Sequence, residues 1–207
     1  LVMVGGTGLY IKSFCEGIDP MPQIDPSVRE AIIDNYTSKG LIWLQAELKH
    51  RDPAFWETAE QANPQRLMRA LEVLNATGKS ILQFRTAQKK QRPFNIVKIG
   101  LEMPMDQLTL RINSRVDQMM LDGLIKEVQS VVQFRTKPAL QTVGYKEIFD
   151  FLDGKISKET AIQQIKHHTR QYAKRQLTFF NKHKDYEWFE PKQAKEMIQL
   201  IQEKIST

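Results

Sequence analysis

Residues 1–10 read LVMVGGTGLY, and this stretch decides the fold. Leu1 to Val4 is a continuous apolar run ending in glycines, the pattern of a strand buried on both faces. Gly5, Gly6, Thr7 and Gly8 then make a tight strand-to-helix turn, and Leu9 to Cys15 continue as a helix. A strand buried on both faces belongs to a parallel sheet with neighbours beside it. The chain carries almost no further strand pattern before Asn95, so most of that sheet is expected to lie outside these residues. The chain is therefore read as the C-terminal part of a longer protein.

Working outward, residues 17–26 (GIDPMPQIDP) form a proline-punctuated linker. Asp25-Pro26 supplies an N-cap and first turn for a helix ending near Lys39-Gly40, and a further helix covers about Leu41 to Arg51. Asp52-Pro53 and Asn63-Pro64 start two more, the second running to Thr77-Gly78. This helical lobe closes with the polar, basic segment Thr86 to Arg92. Asn95 to Leu101 (NIVKIGL) reads as the second strand. Helices are expected at about Met105–Met120, from Asp122-Gly123 to about Phe134, at Tyr145–Asp153 and at Lys158–His183. A loop at 135–146, a short strand at Tyr186–Phe189 and a terminal helix from Pro191 to Ile205 complete the order. Strand, helical insert, strand, helices describes an α/β fold, mostly helical, whose core is interrupted by a lobe. The expected organisation is core at 1–17, helical insertion domain at 18–94 and core continued at 95–207.

Composition narrows the function. The 207 residues are 41% hydrophobic and 26% charged, as in soluble globular proteins, with a net charge of +6. That excess makes an acidic partner such as RNA plausible without requiring one. No run approaches the roughly eighteen apolar residues of a membrane span. The single Cys15 can make neither an intrachain disulfide nor a zinc site, which fits a reducing cytoplasm. His50, His167, His168 and His183 lack metal-ligand spacing with Cys or carboxylates, so a structural metal is not expected.

The charge is concentrated. Between Thr160 and Lys184 there are six Lys/Arg and three His but no Asp or Glu. Ile162, Ile165, Tyr172, Leu177 and Phe180 recur at helical spacing and are expected to form a buried stripe. Lys166, Arg170 and Lys174 follow at i, i+4 and i+8 and are expected to share one exposed face. Like charges so spaced repel by a few tenths of a kcal/mol per pair, which a polyanion would relieve. Tyr and Phe nearby suit unstacked bases. The plainer alternative is a solvated helix face.

Other motifs carry anion chemistry with equally plain alternatives. GGTGLY is not a P-loop, because no Lys-Ser/Thr follows, yet backbone at a helix N-terminus can approach an anion or base. It could also be a capped turn and nothing more. In Asn63 to Ser80, Leu67, Ala70, Leu71 and Leu74 make the buried side, while Arg66 and Arg69 share a face in the first turn. Cations there oppose the helix dipole, and a bound phosphate would offset that cost; solvated arginines are the alternative. Arg111 and Arg115 lie at i, i+4 and could clamp a pyrophosphate, or pair with Asp117, Glu102 or an acid N-terminal to these residues. Leu140 to Glu147 (LQTVGYKE) suits reading a base edge or a loop-to-helix junction.

Taken in order, VGGTGLY, NPQRLMRALEV, LRINSRVDQM, LQTVGYKEI and TRQYAKRQLTFF resemble the tRNA dimethylallyltransferase (tRNA isopentenyltransferase) family, across essentially the entire chain. The resemblance implies a partial P-loop-NTPase-like parallel-sheet core with the helical insertion domain. It implies transfer of a dimethylallyl group from dimethylallyl diphosphate to N6 of adenine 37 in tRNA, assisted by Mg²⁺, by an enzyme that is cytoplasmic and monomeric when full length. Thr7 would lie near the reacting amine, with Gly8 close to the tRNA. Arg115, with Arg111, would hold the diphosphate. The tRNA anticodon stem-loop would meet Glu30 or Arg29 of the insertion helix, then Gln65, Arg66, Leu67, Met68 and Arg69. It would also meet Gln141, Thr142, Val143, Gly144, Tyr145 and Lys146. The last contacts would be Lys174, Arg175, Gln176, Leu177, Thr178, Phe179, Phe180 and Asn181. The family often has Trp and Arg where this chain has Phe179 and Asn181, so stacking and one phosphate contact would be weaker. Its Walker-type loop and general-base Asp have no counterpart here, so these residues alone are expected to be inactive or nearly so. Two other functions compete: an adenylate isopentenyltransferase acting on free nucleotide, and a non-catalytic RNA-binding module.

Overall fold

The structure, a computed structural model, describes residues 1–86 and 88–205. The chain divides into two units, one of residues 12–92 and one of residues 1–11 with those from 93 onward.

After α1 (Gly8–Glu16), side-chain caps followed by proline start each α-helix of residues 12–92. Asp25 accepts from the Ser27 N–H at 2.9 Å and opens α2 (Pro26–Arg51). Asp52 accepts from Phe55 at 3.2 Å and opens α3 (Pro53–Thr58). Asn63 accepts from Arg66 at 3.3 Å and opens α4 (Pro64–Thr77). Each cap satisfies an N–H that the helix cannot, and proline there gives up a hydrogen bond the first turn would not make. The break expected at Gly40 is a kink within α2, with φ 72° and ψ −169°. Gly78, at φ 68°, ends α4. Ile32, Leu44 and Leu48 of α2 pack with Phe55 and with Leu67, Ala70, Leu71 and Leu74 of α4 as this unit's core. Farther along, Asp19 accepts from the Thr86 hydroxyl at 2.7 Å, and Lys90 N–H donates to the Glu16 carbonyl at 2.8 Å. The basic segment is thus strapped back along the unit, with Ala87 outside the described residues.

The other unit contains the sheet. Strands β1 (Ile99–Leu101) and β2 (Glu187–Phe189) pair in parallel, with Ile99 opposite Glu187, Gly100 opposite Trp188 and Leu101 opposite Phe189. Gly100 is required by its partner: a Cβ there would lie 2.6 Å from the Trp188 indole. Parallel pairing needs a long crossover. It consists of α5 (Met105–Leu121), α6 (Leu124–Ser130), α7 (Tyr145–Leu152) and α8 (Lys158–Phe180), and α9 (Ala194–Ile205) follows β2. Val116, Leu124, Val128, Ile148, Phe149, Ala161 and Ile165 form this unit's separate core.

Three expectations are corrected. Leu1 to Val4 is neither strand nor buried: Val2 is 83% and Val4 91% exposed, and no strand among the described residues pairs with them. Hydrophobic pattern alone cannot make a strand; a partner edge must accept its backbone. Of Asn95–Leu101, the last three residues form the strand, because β2 is equally short. The helix expected to reach Phe134 stops at Ser130 and tightens into a 3-10 turn at Val132–Phe134.

Candidate nucleic-acid interface

The glycine turn docks on the basic helix. Helix α1 begins where the Thr7 carbonyl accepts from Tyr10 and Ile11 N–H groups at 3.0 and 3.2 Å. On one side of Thr7, the Gly6 carbonyl accepts from Gln176 Nε2 at 2.8 Å. On the other, a Cβ on Gly8 would lie 2.2 Å from the Phe179 ring. Thr7 itself is exposed between these two contacts. The missing side chains of Gly6 and Gly8 are what let this backbone reach α8.

Helix α8 uses its charges differently at its two ends. Lys166 is 13% exposed and bonds Asp117 of α5 at 2.6 Å, and Arg170 donates to Asn113 of α5 at 3.0 Å. The expected exposed stripe Lys166–Arg170–Lys174 is therefore half a helix–helix interface, because α5 presents a carboxylate and an amide where that stripe faces. Lys174 and Arg175 are exposed, and the Arg175 guanidinium stands 5.9 Å over the Tyr172 ring. Tyr172, expected in the buried stripe, is 41% exposed; Ala161 and Ile165 are the buried residues of this helix. Thr178 is exposed, and Leu177 is half-buried with its carbonyl accepting from Asn181 N–H. Phe179 meets Phe180 edge-on at 5.4 Å, and Phe180 meets Tyr186 at 5.3 Å, so aromatic contacts run from α8 toward β2.

On α5, Arg111 and Arg115 are exposed and line an open concavity of about 500 Å³ with Ser114, Gln118, Met119 and Asp122. Asp117, one expected alternative partner, is committed to Lys166. Two guanidiniums one turn apart can grip a bridging anion bidentately.

The 135–146 loop is anchored at several points. Gln141 Nε2 donates to the Arg135 carbonyl at 2.5 Å, and the Tyr145 hydroxyl donates to Glu127. That carboxylate pushes the Tyr145 phenol pKa up, with burial adding to the effect. Gly144 takes φ +100°, and its N–H donates to Glu147 Oε2 at 2.7 Å. Glu147 Oε1 lies 2.5 Å from His168 Nδ1 on α8. Thr142 and Lys146 remain exposed, and Val143 packs against the core. Arg135 grips Asp153 through two bonds of 2.8 and 2.7 Å, holding that carboxyl well below the ordinary carboxylate range, with Lys155 assisting.

In the unit of residues 12–92, Arg66 pairs with Glu60 at 3.0 Å. Arg69 and Arg29 both reach the buried Glu72, at 3.0 and 3.7 Å. Arg66 in the first turn of α4 and Arg69 in the second thus have internal counter-ions, which offsets their opposition to the helix dipole without any ligand. Leu67 is fully buried, so its side chain serves the core and not a surface contact. Met68 is half-buried, while Gln65 and Glu30 are exposed.

Residue patterns alone do not flag Glu72, Glu147 and His168 for any role. Glu147 is recoverable in principle, since it stands three residues after Gly144 as the return arm of a capping box. No comparable signal marks His168. Among the described residues no three His, Cys, Asp or Glu side chains gather as metal ligands. No helix among them is long and apolar enough to cross a membrane.

A family-wide sequence profile described as IPP transferase matches residues 1–183. The chain belongs to that family. Among relatives of the IPP transferase family, the tRNA dimethylallyltransferase of Cytophaga hutchinsonii is 43% identical over 205 residues, covering 99% of this chain and 67% of that protein. The full-length tRNA isopentenylpyrophosphate transferase of Bacillus halodurans superposes with a TM-score of 0.58 at 34% identity, covering 97% of this chain and 63% of that one. A eukaryotic dimethylallyltransferase acting on tRNA shares the fold, with a TM-score of 0.66 at 23% identity over 90% of this chain and 50% of that one. The chain thus spans about two thirds of the length of the relatives it matches.

Proposed function

We propose that this chain serves the transfer of a dimethylallyl group from dimethylallyl diphosphate to N6 of adenine 37 in the anticodon stem-loop of tRNA. The observation that carries the reading is the docking of the GGTG turn on α8, which sets Thr7 beside Gln176 and Phe179 within the Lys174–Asn181 segment. The names of the relatives point to the same chemistry.

The physical demands are specific. The N6 lone pair is delocalised into the purine, so it attacks carbon poorly without help. As the N–C bond forms, the allylic C–O bond breaks, diphosphate leaves and N6 loses a proton. Arg115 and Arg111 would meet the charge growing on the diphosphate, where fixed cations count most in the transition state. Thr7 would hold the amine with its hydroxyl. Lys174 and Arg175 would neutralise phosphates, and the Phe179–Phe180 pair would offer a face for an unstacked base. The proton acceptor, the phosphate-cradling core and any ligands for Mg²⁺ are proposed to reside in the part of the longer relatives that this chain does not span. The helical unit of residues 12–92 would lie along the anticodon arm.

The test compares an anticodon stem-loop RNA with AMP as ligands of the 207-residue protein. Tighter binding of the RNA is expected. Tighter binding of AMP would favour an enzyme of free nucleotide. In a full-length relative that matches these residues, removing the arginine equivalent to Arg115 should lower kcat by about 10²–10³ with little change in RNA affinity. An unchanged kcat would remove the diphosphate role.

A further inference from the structure

We propose that His168 is a positioning residue: through Glu147 it fixes the 141–146 loop on α8, so that two RNA-facing segments hold one mutual register. The inference rests on the RNA reading above and adds a role for a histidine that neither metal spacing nor the reaction explains.

Glu147 is 5% exposed. One of its oxygens accepts the Gly144 N–H at 2.7 Å, and the other lies 2.5 Å from His168 Nδ1. A carboxylate only accepts, so Nδ1 carries the hydrogen and the ring orientation is set. A buried carboxylate is tolerated only when paired, and for stability alone an apolar side chain of similar volume serves as well. What the pair adds is geometry. Its carboxylate grips the last loop backbone N–H before α7 with one oxygen and α8 with the other. The loop's other side-chain hydrogen bonds lead elsewhere, Gln141 to the Arg135 carbonyl and Tyr145 to Glu127, while Val143 packs in the core that holds Ala161 and Ile165 of α8 without a directional bond. His168 precedes Lys174 by six residues, about 9 Å along the same helix. A shift of the loop against α8 would therefore misplace Thr142 and Lys146 relative to Lys174 and Arg175. The adjacent His167 takes no part, since its Nε2 lies 2.8 Å from Gln171 Nε2.

The experiment measures affinity of the 207-residue protein for a fluorescent anticodon stem-loop RNA across a salt series, with thermal unfolding alongside. His168→Ala should weaken binding about tenfold. His168→Asn places an amide N–H where Nδ1 was and should restore affinity to within about twofold, whereas His168→Gln, which mimics Nε2, should not. The salt slope should stay that of wild type, because every cation that neutralises a phosphate is still present. Wild-type affinity in His168→Ala, equal weakening in the Asn and Gln variants, or a shallower salt slope would each overturn the proposal while leaving the RNA reading intact. Failure of the wild-type protein to bind the RNA would overturn both. Where His168→Ala unfolds at the assay temperature, the Asn-against-Gln comparison decides.

Discussion

Gly8 has no room for a methyl group, since its Cβ would come within 2.2 Å of Phe179. Gly8→Ala should therefore prise the turn from α8 and destabilise its unit by about 1–3 kcal/mol, read as a lowered denaturation midpoint. An unaffected midpoint would mean that the turn does not depend on this contact. A second residue-level outcome concerns acid. The folded state holds the Asp153 carboxyl below its ordinary value of 3.8, chiefly through its bonds to Arg135. A depressed carboxyl contributes stability that is complete above 3.8 and is lost as pH falls below it. The melting-temperature gap between wild type and Asp153→Asn should be constant near neutrality and close only in stronger acid. A gap that varies across neutral pH would assign the effect to another group.

At the level of elements, α8 divides its cations between packing and solvent. Substituting Lys174 and Arg175 with Ala should flatten the dependence of log affinity on log salt, by about 0.7–0.9 for each phosphate no longer neutralised. Lys166→Ala and Arg170→Ala should lower stability and leave that slope alone, because both side chains are engaged by α5. Identical slopes for all four variants would place the RNA elsewhere. The helix is legible in the sequence, but this division of its charges is not. Spacing at i, i+4 and i+8 puts three cations on one ridge whatever that ridge meets, and Asp117 and Asn113 lie some fifty residues away along the chain. Helix starts are legible for the opposite reason, since Asp25, Asp52 and Asn63 each act on an N–H two or three residues on. Leu1–Val4 has the pattern of a strand without being one, because an edge partner is a non-local matter. Candidate site residues at exposed positions, such as Arg111 and Arg115, can be named from residue type. That Arg69 and His168 reach the buried carboxylates Glu72 and Glu147 is not legible in this way, because burial arises only when separate helices meet.

For the whole molecule, two separate cores imply two places where stability can fail. Leu71→Ala empties a site 1% exposed among α2 and α4 and should cost about 2–5 kcal/mol. Amide hydrogen exchange should accelerate within residues 12–92 far more than around Ile148 and Ile165. Uniform acceleration would mean one cooperative body. The first of these units also carries its own clock. Cys15 is the one sulfhydryl among 207 residues and is 7% exposed, with the Arg92 guanidinium on its carbonyl at 3.4 Å. An alkylating reagent can reach that buried sulfur only when its surroundings open, so a single mass increment, followed over time, would count those openings in the unaltered protein.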